Sequence, residues 1–319
     1  MGLLSVVVPV FNEEDCLAEL HRRLAPVVSE VAEDYEILFV NDGSRDRSLE
    51  VMREIKARDP RVGYLSFTRN FGHEAALSCG LSQVKGDAVV IIDADLQDPP
   101  EVIRDFVKKW REGFDIVYAQ RRSRAGEKYF TLLTSHLFYR VYGKLAHVEM
   151  PVDTGDFRLM DASVVKAFCS LPERNRYVRG MISWTGYKQA GVLYDRDARF
   201  GGVTKYRFYN RASLAFDAIC AISNLPLRLI TLAGIVLTIF SFAIVSWVVV
   251  QKLYLGLPLR GYALLATGLY FFGGVQLLFL GLIGEYVGRI YRETQNRPLY
   301  IVGETASAVS GKPRKKKAA

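Results

Sequence analysis

Asp93 and Asp95, with one small residue between them, directly follow an unbroken apolar run from Ala88 to Ile92. Such a run reads as a strand buried on both faces. Its carboxyl end is where open α/β sheets bind ligands. Paired carboxylates there suit a hard divalent cation, which takes one or two ligands from protein and the rest from substrate phosphates and water. For both to serve one ion, the chain is expected to bend at Ala94 and leave the sheet. An Asp-x-Asp triplet alone also describes a solvated acidic turn. The buried strand before it, and Gln97, Asp98 and Pro99 after it, favour the metal. Pro99 and Pro100 mark the start of the next helix, since proline suits a first helical turn.

The elements that must position these groups are legible as alternating strands and helices. Strands are predicted at Leu4–Val10, Tyr35–Val40, Val62–Phe67, Ala88–Ile92 and Ile116–Ala119. A helix starts at Asn12–Asp15 and runs to about Ala32, and Asn41–Asp46 makes a tight turn into another. Alternation with short links implies βαβ units and a parallel sheet. The loops after successive strands then converge on one edge, which collects Glu13, Asp42, Arg69, Asp93, Asp95 and Arg121. Three further stretches, Thr154–Arg158, Tyr177–Gly180 and Phe200–Tyr206, read as charged loops that add cations to that edge. Neither a G-x-G-x-x-G nor a G-x-x-x-x-G-K-[ST] pattern is present, so the phosphate would be held by metal and side chains.

Beyond this pattern, Leu229–Val250 and Tyr262–Ile283 carry no charge, and each is long enough to cross a hydrocarbon core of roughly 30 Å. Lys205, Arg207, Arg211 and Arg228 precede the first span, and Arg289, Arg292 and Arg297 follow the second. Only Lys252 and Arg260 lie between. A hairpin with both chain ends cytoplasmic is therefore expected. Met1 leads straight into a strand, so no signal peptide is expected. The boundaries read as a catalytic domain over 1–207 with an interface helix near 129–148, and an interfacial amphipathic helix over 208–227. Spans follow over 228–252 and 261–286, then a cytoplasmic basic tail over 287–319. Cys16, Cys79, Cys169 and Cys220 have no disulfide or zinc spacing. The net charge of +8 raises nucleic-acid binding, but the cations are mixed with carboxylates and no nucleic-acid motif occurs. A non-enzymatic nucleotide-binding membrane protein would explain the spans but not the paired carboxylates among loop cations.

The motifs Val8–Glu14, Asn41–Ser44, Arg69–Gly72, Asp93–Pro99 and Gly155–Met160 resemble glycosyltransferase family 2. The resemblance is to its polyprenyl-phosphate glycosyltransferases, related to dolichyl-phosphate mannose synthase. The tail ending Leu282–Tyr291 is similar to that of bactoprenol glucosyltransferases. The resemblance covers about residues 4 to 302. It implies a GT-A fold (Rossmann-like, mostly parallel) followed by a two-helix transmembrane hairpin, with Mg2+ or Mn2+ as cofactor. Pro9, Phe11, Glu13 and Asp42 would hold the nucleoside. Asp93, Asp95 and Gln97 would hold metal and diphosphate. Asp156 would sit by the reacting sugar and share the catalytic work with Asp95. Arg69, Arg121, Arg199 and Lys205 would hold phosphates, including the acceptor's.

The implied partners are a UDP-sugar donor, a polyprenyl phosphate acceptor, the lipid bilayer and further copies of the chain. The implied reaction is a single inverting transfer, glucose from UDP-glucose to undecaprenyl phosphate at the cytoplasmic face of a bacterial inner membrane. GDP-mannose or a UDP-aminoarabinose derivative is the alternative donor. The Gln-x-x-Arg-Trp motif of processive members is absent.

Overall fold

Strand β1 (Leu3–Val10) is buried along all but its first residue, which is why it shows no polar alternation. A computed structural model describes residues 1–122, 154–174, 176–196, 225–255 and 261–308. Helix α1 (Glu14–Val31) buries Cys16, Leu17, Leu20, Leu24, Val27 and Val28, one stripe at helical spacing. Then come β2 (Asp34–Asn41), α2 (Ser48–Arg58), β3 (Val62–Phe67), α3 (His73–Gln83) and β4 (Ala88–Ile91). The chain continues through a 3-10 turn at Pro100–Val102, α4 (Ile103–Arg111), β5 (Ile116–Arg121), β6 (Thr154–Asp161), α5 (Ala162–Ser170), α6 (Val178–Trp184) and β7 (Gln189–Tyr194). Two long helices, α7 (Leu225–Leu255) and α8 (Tyr262–Thr294), precede the last strand, β8 (Val302–Ala306).

The strands form one eight-stranded sheet in the order β7-β5-β6-β4-β1-β2-β3-β8. Pairings β4–β1, β1–β2, β2–β3 and β5–β7 are parallel. The sheet is mostly parallel, as expected, with antiparallel pairings at two places. β6 runs antiparallel to both β4 and β5, and β8 runs antiparallel to β3. Thr154–Arg158, expected as loop, is the start of β6. Sequence hides this strand because Asp156 and Arg158 are charged yet buried, a pattern that reads as exposed turn. Likewise Val178–Gly180 opens helix α6. Apolar residues pack on both faces of the sheet: Val6, Val8, Ile37 and Phe39 with α1 and α4, and Val7, Val40 and Ile91 with α3 and α5.

The chain divides into two compact units, Met1–Phe208 with Arg297–Ala319, and Tyr209–Asn296. The first therefore includes β8, inside the stretch expected to be only a basic tail. A strand from beyond the long helices covers the exposed edge of β3, a common way to close an otherwise adhesive sheet edge. In the second unit, α7 and α8 overrun the expected spans. Among the described residues one segment, Phe271–Thr294, is long and apolar enough to cross a membrane, and a shorter apolar segment, Ile230–Ile244, lies in α7. Leu269, Leu277 and Leu278 are 74%, 71% and 74% exposed, which no soluble core helix would show. The predicted interface helix at 129–148, residues 208–224, Arg199, Lys205, Cys220 and the basic run 312–317 lie outside the described residues.

Candidate active site

β4 ends at Ile91 and the chain turns at Ala94–Asp95, with Leu96 in the left-handed region at φ 59°. The expected bend at Ala94 is thus present. Asp93, Asp95 and Gln97 are all partly accessible, while Ala94, Leu96 and Asp98 between them are buried. The Gln97 N–H donates to Asp95 Oδ1 at 3.1 Å and steadies the turn. Burial pushes the Asp93 carboxyl up to about 6, against the pull of His73, and the charges of Asp156, Asp98 and Asp95 add to the rise. Such crowding of negative charge fits a divalent cation. Among the described residues no group of three or more His, Cys, Asp or Glu side chains forms a closed cage. A cation on Asp93 and Asp95 would therefore take its remaining ligands from elsewhere, as Mg2+ does when it binds through substrate phosphates.

The pairing of β4 with β6 decides what faces these carboxylates. Ile91 pairs with Arg158, and carrying that antiparallel register two residues on sets Asp93 against Asp156. Asp156 is held by a residue given no role from sequence. Arg179 on α6 donates from Nε to Oδ1 at 2.5 Å and from Nη2 to Oδ2 at 2.7 Å. His73 Nε2, at the start of α3, lies 3.3 Å from Asp156 Oδ2 and 3.9 Å from Asp93 Oδ1. Burial works to raise the Asp156 carboxyl, but the Arg179 charge and hydrogen bonds, helped by His73, hold it well below the ordinary carboxylate range. Glu74 accepts from the Val178 N–H at 3.0 Å and so seats the first turn of α6 that carries Arg179. Arg158, buried, is satisfied by the carbonyls of Gly155 at 2.9 Å and Asp156 at 3.4 Å.

The expected nucleoside residues lie on loops that are tied to one another. Pro9 is buried near the end of β1, and Phe11 and Glu13 follow it, partly accessible. Asn12, at φ 54°, donates its N–H to Ser44 Oγ at 2.9 Å and accepts from the Arg45 N–H at 2.8 Å. The Glu13 N–H donates to Ser48 Oγ at 3.0 Å. Asp42 is 3% exposed. Its oxygens accept from the Phe71 N–H at 2.6 Å, the Gly72 N–H at 3.0 Å and Asn70 Nδ2 at 2.8 Å. Its carboxylate therefore shapes the 69–72 loop. Gly43, at φ +65°, permits this approach, since a Cβ there would collide with the backbone of Arg69 and Asn70. Arg69 is exposed, with its guanidinium 3.9 Å from the centre of the Phe71 ring.

Asp98 belongs to the same motif as Asp93 and Asp95 but is 2% exposed and faces the other way. It accepts a short hydrogen bond from the Tyr194 hydroxyl and lies 3.8 Å from Arg196. Arg121 Nε in turn reaches the Tyr194 oxygen at 3.5 Å. The motif is thereby bound to the ends of β5 and β7, where Arg121 and Arg196 stand. Tyr194→Phe leaves a buried carboxylate short of a donor and should cost about 1–3 kcal/mol of stability. Urea unfolding of the variant measures it, and an unchanged midpoint would show that Asp98 does not depend on this hydroxyl.

A mostly parallel α/β sheet with paired aspartates at the end of its fourth strand is consistent with a glycosyltransferase of GT-A-like fold. Residues 5–168 match the family model for glycosyl transferase family 2, and the chain belongs to that family. It is 46% identical over 301 residues to an uncharacterized glycosyltransferase of Synechocystis, covering 94% of this chain and 95% of the relative. It is 40% identical over 299 residues to the SfII prophage-derived bactoprenol glucosyl transferase of Shigella flexneri, covering 94% and 97%. Among solved structures, glucosyl-3-phosphoglycerate synthase from Mycobacterium tuberculosis, in complex with Mn2+, UDP and glucosyl-3-phosphoglycerate, shares the fold. Its TM-score is 0.51 at 19% identity, covering 69% of this chain and 78% of that one.

Proposed function

We propose that this enzyme transfers one glucose from UDP-glucose to undecaprenyl phosphate, with inversion, giving a β-linked polyprenyl-phosphate sugar. The observation that carries this is His73 standing between Asp93 and an Arg179-paired Asp156, in a chain 40% identical over most of its length to a bactoprenol glucosyl transferase. An acceptor phosphate oxygen attacks the anomeric carbon; the bond from that carbon to the diphosphate oxygen breaks, and UDP leaves with the electron pair. Asp93, Asp95 and Gln97 would hold Mg2+ or Mn2+, which would supply stabilisation of charge on the leaving diphosphate.

Phosphomonoesters have a second pKa near 6, so the acceptor is already mostly a dianion at pH 7. It needs little deprotonation. Asp156, kept ionised and engaged by Arg179, is suited to orienting the sugar through its hydroxyls and not to taking a proton. Pro9, Phe11 and Glu13 line the nucleoside site, and Asp42 serves it by shaping the 69–72 loop. Bringing two anions together requires cations; Arg69, Arg121, Arg199 and Lys205 fill that role. α7 and α8 form a membrane hairpin that keeps the catalytic domain on the cytoplasmic face, where the soluble donor meets the lipid acceptor. The charge-free runs and the cations outside them support this topology.

The test is purified full-length protein with undecaprenyl phosphate and, separately, labelled UDP-glucose, GDP-mannose and a UDP-aminoarabinose derivative. One labelled lipid product, from UDP-glucose, is expected, with a β-anomeric signal by NMR. A product from another donor would replace the assigned sugar, and an α-linkage would overturn direct displacement.

A further inference from the structure

Shortly after α8 ends, the chain rejoins the catalytic sheet beside the loop that carries Arg69 and His73. The Thr68 N–H donates to the Ile301 carbonyl at 3.1 Å. Tyr300 stacks on Phe67 with ring centres 5.1 Å apart and planes 8° apart. Phe67 in turn meets Phe71 edge-on at 5.7 Å, and Phe71 carries the Arg69 guanidinium at 3.9 Å from its ring centre. The Tyr300 hydroxyl lies 3.3 Å from Ser82 Oγ on α3, the helix that His73 opens. Farther along β8, Glu304 accepts from Arg53 Nε at 2.9 Å and from the Tyr64 hydroxyl at 2.7 Å. The strand is therefore pinned where it leaves the loop. On the opposite flank the same loop is gripped by Asp42.

We infer that Tyr300 is a positioning residue for the active-site loop 68–73. Through Phe67 and Phe71 it sets where the Arg69 guanidinium stands, and the segment after α8 is thus part of the support of the site. Aromatic pairs of this geometry favour one relative orientation over others, and a guanidinium over a ring face is attracted to it. The sequence separation between Tyr300 and Arg69 means that the loop reaches this arrangement only when the chain beyond the long helices has docked. The inference rests on the reading of Arg69 as a phosphate-binding residue.

The experiment is a double-mutant cycle in the full-length protein, with donor kcat and KM measured well below the melting temperature of every variant. Tyr300→Phe keeps the ring and should stay within about twofold of wild type, while Tyr300→Ala should lower kcat/KM about tenfold, within the range of contact couplings. In an Arg69→Ala background, adding Tyr300→Ala should cause little further loss. If Tyr300→Ala lowers only the melting temperature, or its kinetic effect multiplies in full with that of Arg69→Ala, the inference is overturned and Tyr300 only covers a sheet edge. If Arg69→Ala is itself silent, the phosphate role assigned to Arg69 fails, and the inference falls with it. The two failures are thus told apart by the single variants.

Discussion

Asp95→Asn should lower turnover at least about 10²-fold while leaving the protein folded, because charge stabilisation by a metal is worth several kcal/mol and each 1.4 kcal/mol is about tenfold. The substitution is nearly isosteric. The introduced amide would still offer an oxygen to the Gln97 N–H that Asp95 Oδ1 accepts at 3.1 Å, so the turn at the end of β4 should survive. What is lost is one negative charge on the accessible side shared with Asp93 and Gln97. The Asp93 carboxyl, pushed up to about 6 chiefly by burial, should fall slightly in the variant, since the Asp95 charge is a minor cause of its rise. Circular dichroism checks the fold, and initial rates across a titration of Mg2+ and Mn2+ check the role. Near-normal activity at low metal would sink the assignment of Asp95 as a ligand.

Removing Arg179 should have the largest effect on stability. Asp156 is 5% exposed and receives two hydrogen bonds from this one guanidinium. Breaking one side of a buried pair leaves the other charge without compensation and typically costs about 3–5 kcal/mol. The sign with pH is specific. In the wild type the Asp156 pKa is depressed, so the pair's contribution is present above the unfolded carboxylate value of about 3.9 and lost as pH falls through the folded value. In Arg179→Ala, burial is opposed by His73 and by the charge of Arg158 but no longer by a bidentate guanidinium, so the carboxyl should titrate higher than in the wild type. The variant should therefore be weakest at neutral and alkaline pH, and its deficit against wild type should shrink below about pH 4. Arg179→Ala combined with Asp156→Asn should recover part of the loss at pH 7, because the carboxylate left without its guanidinium is then gone. Chemical denaturation of the three proteins between about pH 3 and 8 spans that window; a deficit independent of pH would mean that Arg179 contributes packing and not charge.

The turn that carries Asp95 is legible from residue order alone. β1, β3 and β4 lie inside the sheet and are covered on both faces, so their residues are apolar almost without interruption and their ends are sharp. The turn chemistry after them is local too, as in Asn41–Ser44, where the Ser44 N–H donates back to Asn41 Oδ1 at 3.0 Å. Local sequence determines such features because the groups that satisfy one another are a few residues apart. The apolar runs of α7 and α8 belong to the same class, since their length and lack of charge follow from composition.

Asp156 and Arg179 show where residue order stops. β6 carries two buried charges, and nothing local says that a strand can hold them. Arg158 is tolerated because two carbonyls of its own strand accept hydrogen bonds from it, and Asp156 because Arg179 arrives from α6, seated by Glu74 from α3. The hold of Asp42 on the 69–72 loop is hidden for a similar reason: its partners lie far along the chain, at Asn70–Gly72. β8 sits in what reads as a tail because a strand of five residues with one charge has little pattern of its own. Its place is decided by the free edge of β3 and by Arg53 and Tyr64, which meet Glu304 only after the chain has folded back. Sequence by itself therefore determined the strands that burial makes uniformly apolar and the carboxylate turn at their end. Tertiary structure alone decided which distant charges pair, because the low-dielectric interior makes a buried charge depend on one particular partner, and that partner is chosen by sheet register and not by spacing along the chain.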